Sequence, residues 1–271
     1  MVISPLTDAV QLFSNYLKVT GVAHIDPESD GDPALIGKRL GLLNGSSWIT
    51  LWSNYFGRMF LPGVHLVNIG NEAIQMNFMQ AHRDGQLTPP PSNIRAFVRY
   101  ARDLVTFGRV DAVLITCSTM NRAYSRVRAA LEPLGVPVAQ IDRPMMARAV
   151  ERGGRTLIIA THGPTVASTQ TLLRETAHDM NRSLAFTGIT VEDAWERLAA
   201  SDVSGHNHAL DQAIRAAMRA EELDSVVLAQ LSMTVFLLSH PDPEAEYGIP
   251  VFASGQCGFE HMRELLANGT Q

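Results

Sequence analysis

Cysteine is scarce in this sequence, which contains only Cys117 and Cys257 among its 271 residues. Neither thiol has another Cys or a His at the spacing of a metal-binding motif, and the two do not form a recognisable disulfide framework. We therefore expect neither a bound metal nor a small secreted domain held together by disulfides.

Long apolar runs and an excess of basic residues are also missing. No apolar span reaches the roughly eighteen residues of a transmembrane helix, and residues 1–8 lack the charged and apolar regions of a signal peptide. The 22 Lys and Arg residues are outnumbered by 27 Asp and Glu residues, whereas a nucleic acid or an anionic membrane would require a basic face. The composition predicts a cytoplasmic protein with neither nucleic acid nor membrane as a partner.

The sequence does contain short apolar segments that alternate with helical patterns. With 46% hydrophobic residues, the chain is able to bury the core of one or two domains. Strands are predicted at residues 38–44, 64–69, 111–117, 136–141, 156–161, 184–191, 224–230 and 249–252. Most are followed by a helical pattern, although the segment after the second strand is interpreted as a polar connection that ends in the three prolines at residues 89–91. This order is typical of βα units and parallel sheets flanked by helices.

The segment at residues 111–117 is predicted to be a buried strand with Cys117 at its carboxyl end, just before a helical pattern. A free cysteine there is often only a small buried side chain. However, open α/β sheets bind ligands at the carboxyl ends of their strands, and the N–H groups at a helix start favour an anion. We therefore predict that Cys117 is reactive and that its thiol pKa is lowered.

Residues 224–230 repeat this design, with an acid, an apolar strand and then a polar residue, Gln230. The repeat predicts two similar α/β domains with a cleft between them. We assign residues 1–38 to an N-terminal arm, residues 39–142 and 249–271 to the first domain, and residues 143–248 to the second. The arm would cover a sheet edge or another subunit, and we expect a homo-oligomer.

Three segments resemble turns of the aspartate/glutamate/hydantoin racemase superfamily, in the expected order. They are LLNGSS at residues 42–47, LITCSTMN at 114–121 and IIATHGPT at 158–165. The resemblance, which covers residues 39–266, implies two pseudosymmetric flavodoxin-like or Rossmann-like domains. It also implies an active site in the interdomain cleft, where one cysteine from each domain flanks a small carboxylic acid without any cofactor.

The second cysteine of that pair is absent, because VVLAQLSM at residues 226–233 places Gln230 at its position. A racemase needs a proton acceptor on one face of Cα and a donor on the other, and an amide serves as neither near pH 7. Four functions remain open. They are a racemase that recruits His162, a single-thiol decarboxylase of malonate-type acids, an isomerase of an unsaturated diacid that uses Cys117 as a nucleophile, and a catalytically inactive metabolite-binding protein.

The candidate site therefore has Cys117, Gln230 and His162 as its catalytic candidates. The resemblance implies that hydroxyl and amide groups near the strand ends bind a small-molecule carboxylate. On the first side these residues are Asn44, Ser46, Ser47, Ser118 and Thr119, and on the opposite side they are Thr161, Thr165 and Ser232.

Overall fold

The computed structural model describes residues 9–20, 31–161 and 163–268. Its strands are β1 (Arg39–Asn44), β2 (His65–Gly70), β3 (Ala112–Ile115), β4 (Val138–Gln140), β5 (Arg155–Ala160), β6 (Ala185–Thr190), β7 (Ser225–Leu228) and β8 (Val251–Ala253). Its α-helices are α1 (Ala9–Thr20), α2 (Ile49–Phe60), α3 (Glu72–Arg83), α4 (Pro91–Thr106), α5 (Tyr124–Leu131), α6 (Asp142–Arg152), α7 (Gly163–Asp179), α8 (Glu192–Ala199), α9 (Val203–Ala220), α10 (Phe236–Ser239), α11 (Pro243–Tyr247) and α12 (Ser254–Asn268). None of these helices has the length and apolar character needed to cross a membrane.

The strands form two parallel four-stranded sheets of the same topology. The first sheet has the order β2-β1-β3-β4, and the second has the order β6-β5-β7-β8. Helices cover the sheets, so the inner strands β1, β3, β5 and β7 are almost entirely buried and consist mainly of aliphatic residues. All eight predicted strands are present, and the α/β fold with two similar halves is confirmed.

The two halves repeat one another in hydrogen-bonding detail. The Asp111 carboxylate accepts a hydrogen bond from the backbone N–H of Arg39 at 2.7 Å, before β3 and β1 respectively. The Asp224 carboxylate accepts one from the N–H of Arg155 at 2.6 Å, before β7 and β5. The acid that opens each central strand therefore fixes the start of the neighbouring strand. This shared register brings the ends of β3 and β7 to equivalent positions.

The assignment of residues 249–271 to the first domain is wrong for its strand. β8 pairs in parallel with β7, with Val226 opposite Val251, and so completes the second sheet. A parallel strand needs a free edge with matching register, and β7 offers that edge because β5 occupies its other side. The apolar pattern of residues 249–252 could not distinguish between the two sheets.

Helix α12 connects the two halves through their hydrophobic cores. Its residues Phe259 and Met262 pack in the cluster around β1 and α2, whereas Cys257 packs in the cluster around β5 and α6. Leu231 and Val235, which follow β7, also belong to the first cluster. The halves therefore share buried apolar contacts and are not separate cores joined by a linker.

Helices α3, α8, α10 and α11 were not predicted, and two of them, α3 and α8, bear on the site. Helix α3 occupies residues interpreted as a polar connection, and its start is capped by Asn71, whose side chain accepts from the N–H of Ala73 at 2.9 Å. Helix α8 is its counterpart after β6. Both follow an edge strand and lie beside the cleft. Within the predicted arm, α1 packs on α2, whereas residues 1–8 and 21–30 lie outside the described part of the chain.

Candidate active site

A cavity of about 570 Å³ lies between the halves, at the carboxyl ends of the inner strands. In each sheet the strand order reverses direction between the two inner strands, which is where open α/β sheets bind ligands. The cavity lining has polar and apolar parts. The polar residues are Ser46, Glu72, Gln75, Thr116, Cys117, Ser118, Thr119, Thr165, Gln230 and Ser232. The apolar residues are Trp48, Ile49, Met76, Met79, Trp195, Leu198, Ala199 and Leu231.

Cys117 lies just beyond β3, before a 3₁₀ turn at Ser118–Ala123. Its side chain is 8% exposed, and its Sγ lies 3.1 Å from the Thr119 hydroxyl. Gly45 packs directly against the thiol, because a Cβ at that residue would lie 2.2 Å from Sγ. Only glycine therefore fits at the turn after β1.

The expected lowering of the Cys117 pKa is wrong. Burial raises the pKa of this thiol by removing water from its charged form, and the nearby Asp142 carboxylate raises it further. The Thr119 hydroxyl and the N–H groups of Met120 and Thr119 lower the pKa, as expected for a helix start, but burial has the larger effect. The resting group is a protonated thiol near neutral pH.

Gln230 occupies the position equivalent to Cys117, after β7 and before a 3₁₀ turn at Leu231–Val235. Its Oε1 accepts two hydrogen bonds from Thr161, one from the backbone N–H at 2.7 Å and one from the hydroxyl at 2.8 Å. Because a backbone N–H pairs only with an acceptor, these bonds fix the orientation of the amide. The Nε2 group is left as the part of Gln230 that is able to donate to a ligand.

Five of the predicted binding residues with hydroxyl groups lie at the cavity wall. Ser46, Ser118, Thr119, Thr165 and Ser232 all line the cavity. Thr165 is 1% exposed, and its hydroxyl has no hydrogen-bond partner among the described residues. A buried hydroxyl without a partner is costly, so a ligand or a water in the cavity would satisfy it.

Three predicted binding residues do not line the cavity. Asn44 is fully buried, and its Oδ1 accepts from Ser53 at 2.7 Å while its Nδ2 donates to Asn68 at 3.0 Å. Its polar side chain therefore completes an internal network. Ser47 donates to the Glu72 carboxylate and ties α2 to α3, and Thr161 positions Gln230. The sequence pattern could not show which side chains of these turns point into the cavity.

His162, the remaining catalytic candidate, lies outside the described residues. Its assignment as a second proton carrier stays a prediction. The neighbouring residues Thr161 and Thr165 are close to Gln230 and to the cavity, respectively. Substitution of His162 is therefore a necessary control in any test of proton transfer at this site.

Two of the unpredicted helices, α3 and α8, supply much of the cavity wall. Helix α3 contributes Glu72, Gln75, Met76 and Met79, and α8 contributes Trp195, Leu198 and Ala199. The rings of Trp48 and Trp195 meet across the two halves, with centroids 5.8 Å apart. Helical spacing of Ile74, Phe78 and Ala81 was the signal that could have revealed α3.

The cavity has little charge. Among the described lining residues there is no Lys, Arg or His, and the carboxylate is that of Glu72. A hydrogen bond from Ser47 lowers the pKa of Glu72, and its other oxygen accepts from the N–H of Trp48 at 3.1 Å. A ligand carboxylate would therefore be bound by hydroxyl and amide donors, while much of the wall contacts apolar groups.

Outside this cavity, one group of described residues has metal-ligand spacing, namely Asp211, His240 and Glu246. Arg215 donates to both carboxylates, with Nε at 2.7 Å from Asp211 Oδ1, and Tyr247 donates to the same Asp211 oxygen at 2.7 Å. Each carboxylate thus already has a guanidinium partner. This arrangement is a hydrogen-bonded ion-pair network on the second half.

Comparison with known proteins agrees with this architecture. The family model of the Asp/Glu/Hydantoin racemases matches residues 62–262. A search of curated protein sequences found no match.

Three solved structures illustrate the structural similarity. An aspartate racemase homologue from Pyrococcus horikoshii OT3 has a TM-score of 0.62 at 15% identity, and the match covers 85% of this chain and 99% of the homologue's chain. Allantoin racemase from Klebsiella pneumoniae has a TM-score of 0.57 at 17% identity, and the match covers 86% of this chain and 90% of the allantoin racemase chain. A variant of arylmalonate decarboxylase has a TM-score of 0.57 at 20% identity, and the match covers 86% of this chain and 94% of the decarboxylase chain.

At such low identity, the structural neighbours support the fold, and the family model supports the sequence relationship. Because that model extends over well more than half of the chain, the chain belongs to the Asp/Glu/hydantoin racemase family.

Proposed function

We propose that this chain is a cofactor-independent decarboxylase of α-substituted, malonate-type acids, in which Cys117 protonates the enolate on one face. The observation that carries the proposal is the pairing of one thiol with one amide at equivalent positions of the two halves. A racemase needs a proton carrier on each side of Cα, whereas decarboxylation followed by protonation needs a carrier on only one.

The protonation state of Cys117 favours a role as proton donor. Burial raises the pKa of its thiol, so S–H is the resting form near neutral pH. A nucleophile that adds to an unsaturated diacid, or a base that removes an α-proton, would instead need a thiolate. Of the four functions left open by the sequence, the decarboxylase makes the best use of a protonated thiol.

The reaction balances with the groups present. The bond between Cα and one carboxylate breaks, carbon dioxide leaves, and the electron pair remains on Cα and the second carboxylate as an enediolate. Cys117 then transfers its proton to Cα and becomes a thiolate, which takes one proton from solvent before the next turnover. Each turnover consumes one substrate and one proton and releases carbon dioxide and a monocarboxylate.

Gln230 would stabilise the charge that develops opposite Cys117. Its carbonyl oxygen is held by Thr161, so its Nε2–H donors are available to an enediolate oxygen. Donors fixed before the reaction stabilise developing charge without reorganising, and they are more effective in a buried site. Thr165 and Ser232 provide further donors on the same side of the cavity.

The apolar wall supports a substrate with an apolar substituent. Trp48, Trp195, Met76 and Leu198 line the part of the cavity contributed by α2, α3 and α8. A polar amino acid side chain would leave these groups in contact with polar atoms, whereas an aryl or branched alkyl group would bury apolar area. The structural neighbour named arylmalonate decarboxylase belongs to the same reaction class.

The test is to incubate the protein with phenylmalonate and with α-methyl-α-phenylmalonate in deuterated water. We expect release of carbon dioxide, incorporation of one deuterium at Cα, and one enantiomer of the α-methyl product. Aspartate, glutamate and a hydantoin serve as controls and should keep their configuration. Rapid racemisation of any of them without release of carbon dioxide would contradict the proposal and make His162 the first residue to substitute.

Thr165→Val should separate binding from stability. The substitution removes a buried hydroxyl that has no described partner, so the melting temperature should stay the same or rise. Loss of a hydrogen bond to a substrate carboxylate should raise KM by roughly tenfold or more, corresponding to about 1.5–3 kcal/mol.

The matched control for this prediction is Thr171→Val in the same helix. The Thr171 hydroxyl donates to the carbonyl of Ala167 at 2.9 Å and does not line the cavity. Thermal unfolding and steady-state kinetics of the two variants provide the comparison. An unchanged KM in Thr165→Val would show that this hydroxyl does not contact the substrate.

A further inference from the structure

The main cavity opens to solvent where α3 meets the start of α2, a region that we call the mouth. Two residues that line the cavity there are well exposed, since Met76 is 70% exposed and Trp48 is 38% exposed. Glu72, in the first turn of α3, lies four residues before Met76 on the same face of the helix and is also exposed. The mouth therefore carries the carboxylate that the rest of the described lining lacks.

The Glu72 carboxylate has no cationic partner in the described part of the chain, where no Lys, Arg or His lies within ion-pair distance of it. It is held instead by two neutral donors, the Ser47 hydroxyl and the backbone N–H of Trp48, the latter at 3.1 Å. These donors fix its position, and the Ser47 bond lowers its pKa, so the group is charged near neutral pH. A fixed charge in a cleft without counter-charges favours a ligand of the opposite sign.

Aromatic rings lie beside this charge. Trp48 carries both the N–H that holds Glu72 and an indole ring, and the ring of Trp195 reaches it from the other half of the molecule. The two ring centroids are 5.8 Å apart, the planes are inclined by 65°, and both residues line the cavity. Aromatic rings attract cations through their electron-rich faces, and they do so most strongly for weakly hydrated organic ammonium groups. A carboxylate next to two indole rings is therefore suited to an organic cation.

The mouth lies about one aryl ring away from the reactive thiol. A Cβ at Gly45 would overlap the Cys117 sulfur and would lie 3.8 Å from Oε1 of Gln75, so the Gln75 side chain adjoins the thiol. Glu72 precedes Gln75 by three residues, which corresponds to about 4.5 Å along the axis of α3. A substrate whose Cα lies beside Cys117 would thus reach the mouth with the far end of an aryl substituent.

We propose that Glu72 and the rings of Trp48 and Trp195 form a subsite for a cationic group at the far end of the substrate's α-substituent. This inference rests on the proposed function and names its substrate class, a malonate-type acid whose apolar substituent ends in an ammonium group. The two ends of the site are then complementary to the two ends of such a molecule, with hydroxyl and amide donors for the acid and a carboxylate for the cation. The subsite disfavours a substituent that ends in a further carboxylate.

The first test needs no decarboxylation. Three methanethiosulfonates, which carry an ethyltrimethylammonium, an ethyl or an ethylsulfonate group, each form a disulfide with the Cys117 thiolate and release methanesulfinate. Their rates are measured by mass spectrometry in a Cys257→Ala background and are divided by the rates with 2-mercaptoethanol. The cationic reagent should react fastest and the anionic one slowest, and Glu72→Gln should lower their ratio by roughly tenfold. Because each ratio is taken within one protein at one pH, it does not depend on the pKa of the thiol.

Two further variants accompany this measurement. Glu264→Gln removes the same charge from an exposed position on α12, outside the described cavity lining, and should leave the ratio unchanged. Trp48→Leu keeps the carboxylate and removes one ring, so it should slow the cationic reagent more than the anionic one. Higher salt should reduce the wild-type ratio and have little effect on that of Glu72→Gln. An equal ratio in the wild type and Glu72→Gln would overturn the subsite, whatever reaction the protein catalyses.

The second test compares three substrates of one shape. They are phenylmalonates with a 4-aminomethyl, a 4-methyl or a 4-carboxymethyl group, and kcat/KM is measured for each. The wild type should prefer them in that order, with roughly tenfold between the first and the last, and in Glu72→Gln the three values should converge. Equal use of the three by the wild type, or preference for the 4-carboxymethyl compound, would overturn the substrate class. Absence of carbon dioxide from all three would instead reject the proposed function, while the reagent rates would still decide the subsite.

Thermal unfolding distinguishes the subsite from a purely structural role of Glu72. The residue ties α3 to the start of α2, whose N-cap residue Trp48 has no side-chain cap of its own. Glu72→Gln retains an oxygen that accepts from Ser47 and Trp48, so it should fold. A structural role alone would lower the melting temperature and leave the order of reagents and substrates as in the wild type, and that result would overturn the proposal.

Discussion

Cys117→Ala is expected to reduce decarboxylation by about 10²–10⁴-fold while leaving the fold intact. The variant removes the proton donor for Cα, but the donors of Gln230, Thr165 and Ser232 remain in place. Exchange of a thiol for a hydrogen atom removes little buried volume, so we expect a stability loss of about 1 kcal/mol or less. Stopped-flow detection of carbon dioxide and thermal unfolding measure the two effects.

Cys257→Ala is the matched control for this experiment. Cys257 is also a buried thiol, 1% exposed, but it packs in the core near α6 and does not line the cavity. Its substitution should leave turnover at the wild-type level. Full activity of Cys117→Ala would reject the thiol chemistry, and a large loss of stability in that variant alone would favour a structural role for Cys117.

Gln230→Cys is expected to change the stereochemical outcome of the reaction. It places a second thiol at the position equivalent to Cys117 in the other half, so the enediolate would have a proton donor on each face. The product from α-methyl-α-phenylmalonate should change from one enantiomer toward a racemate. The variant should also exchange the α-hydrogen of the product with deuterated water, because one thiolate could remove the proton that the other returns.

Two further variants identify the cause of this change. Gln230→Ala removes the amide without adding a thiol and should be slow but still form one enantiomer. The double variant Cys117→Ala with Gln230→Cys should form the opposite enantiomer, because the donor then lies on the other side of the pseudosymmetric cavity. If all four proteins form the same enantiomer, Cys117 and Gln230 do not occupy opposite faces of the substrate.

The sequence was sufficient to predict the strands and to place Cys117 and Gln230 at the ends of two equivalent strands. Each strand is a short aliphatic run between turn residues, and a parallel strand presents its last residue at a known edge of the sheet. Cys117 and Gln230 both follow such a run and both line the cavity. Local pattern and chain direction carry this information, so no knowledge of tertiary contacts was needed.

The cavity wall depended on contacts that the sequence pattern did not specify. Helix α8 has only two turns and buries Ala194 and Leu198, too short a pattern to separate from a loop. Its residue Trp195 meets Trp48, which is far away in sequence. The pKa of Cys117 was expected to be lowered for a related reason. The local helix start lowers this pKa, as the sequence indicates, but burial by segments distant in sequence raises it by more.

The shared core has a mechanical consequence for access to the site. Two-domain enzymes usually open by rotation about a hinge, which requires an interface that slides or separates at low cost. Here Leu231 and Val235 from one half are embedded in the hydrophobic cluster of the other, and α12 packs in both. Separation of the halves would expose these residues to water at about 25 cal/mol for each Å². We therefore expect substrate to enter by local movement around Trp48 and Trp195, within a molecule that unfolds as one cooperative unit.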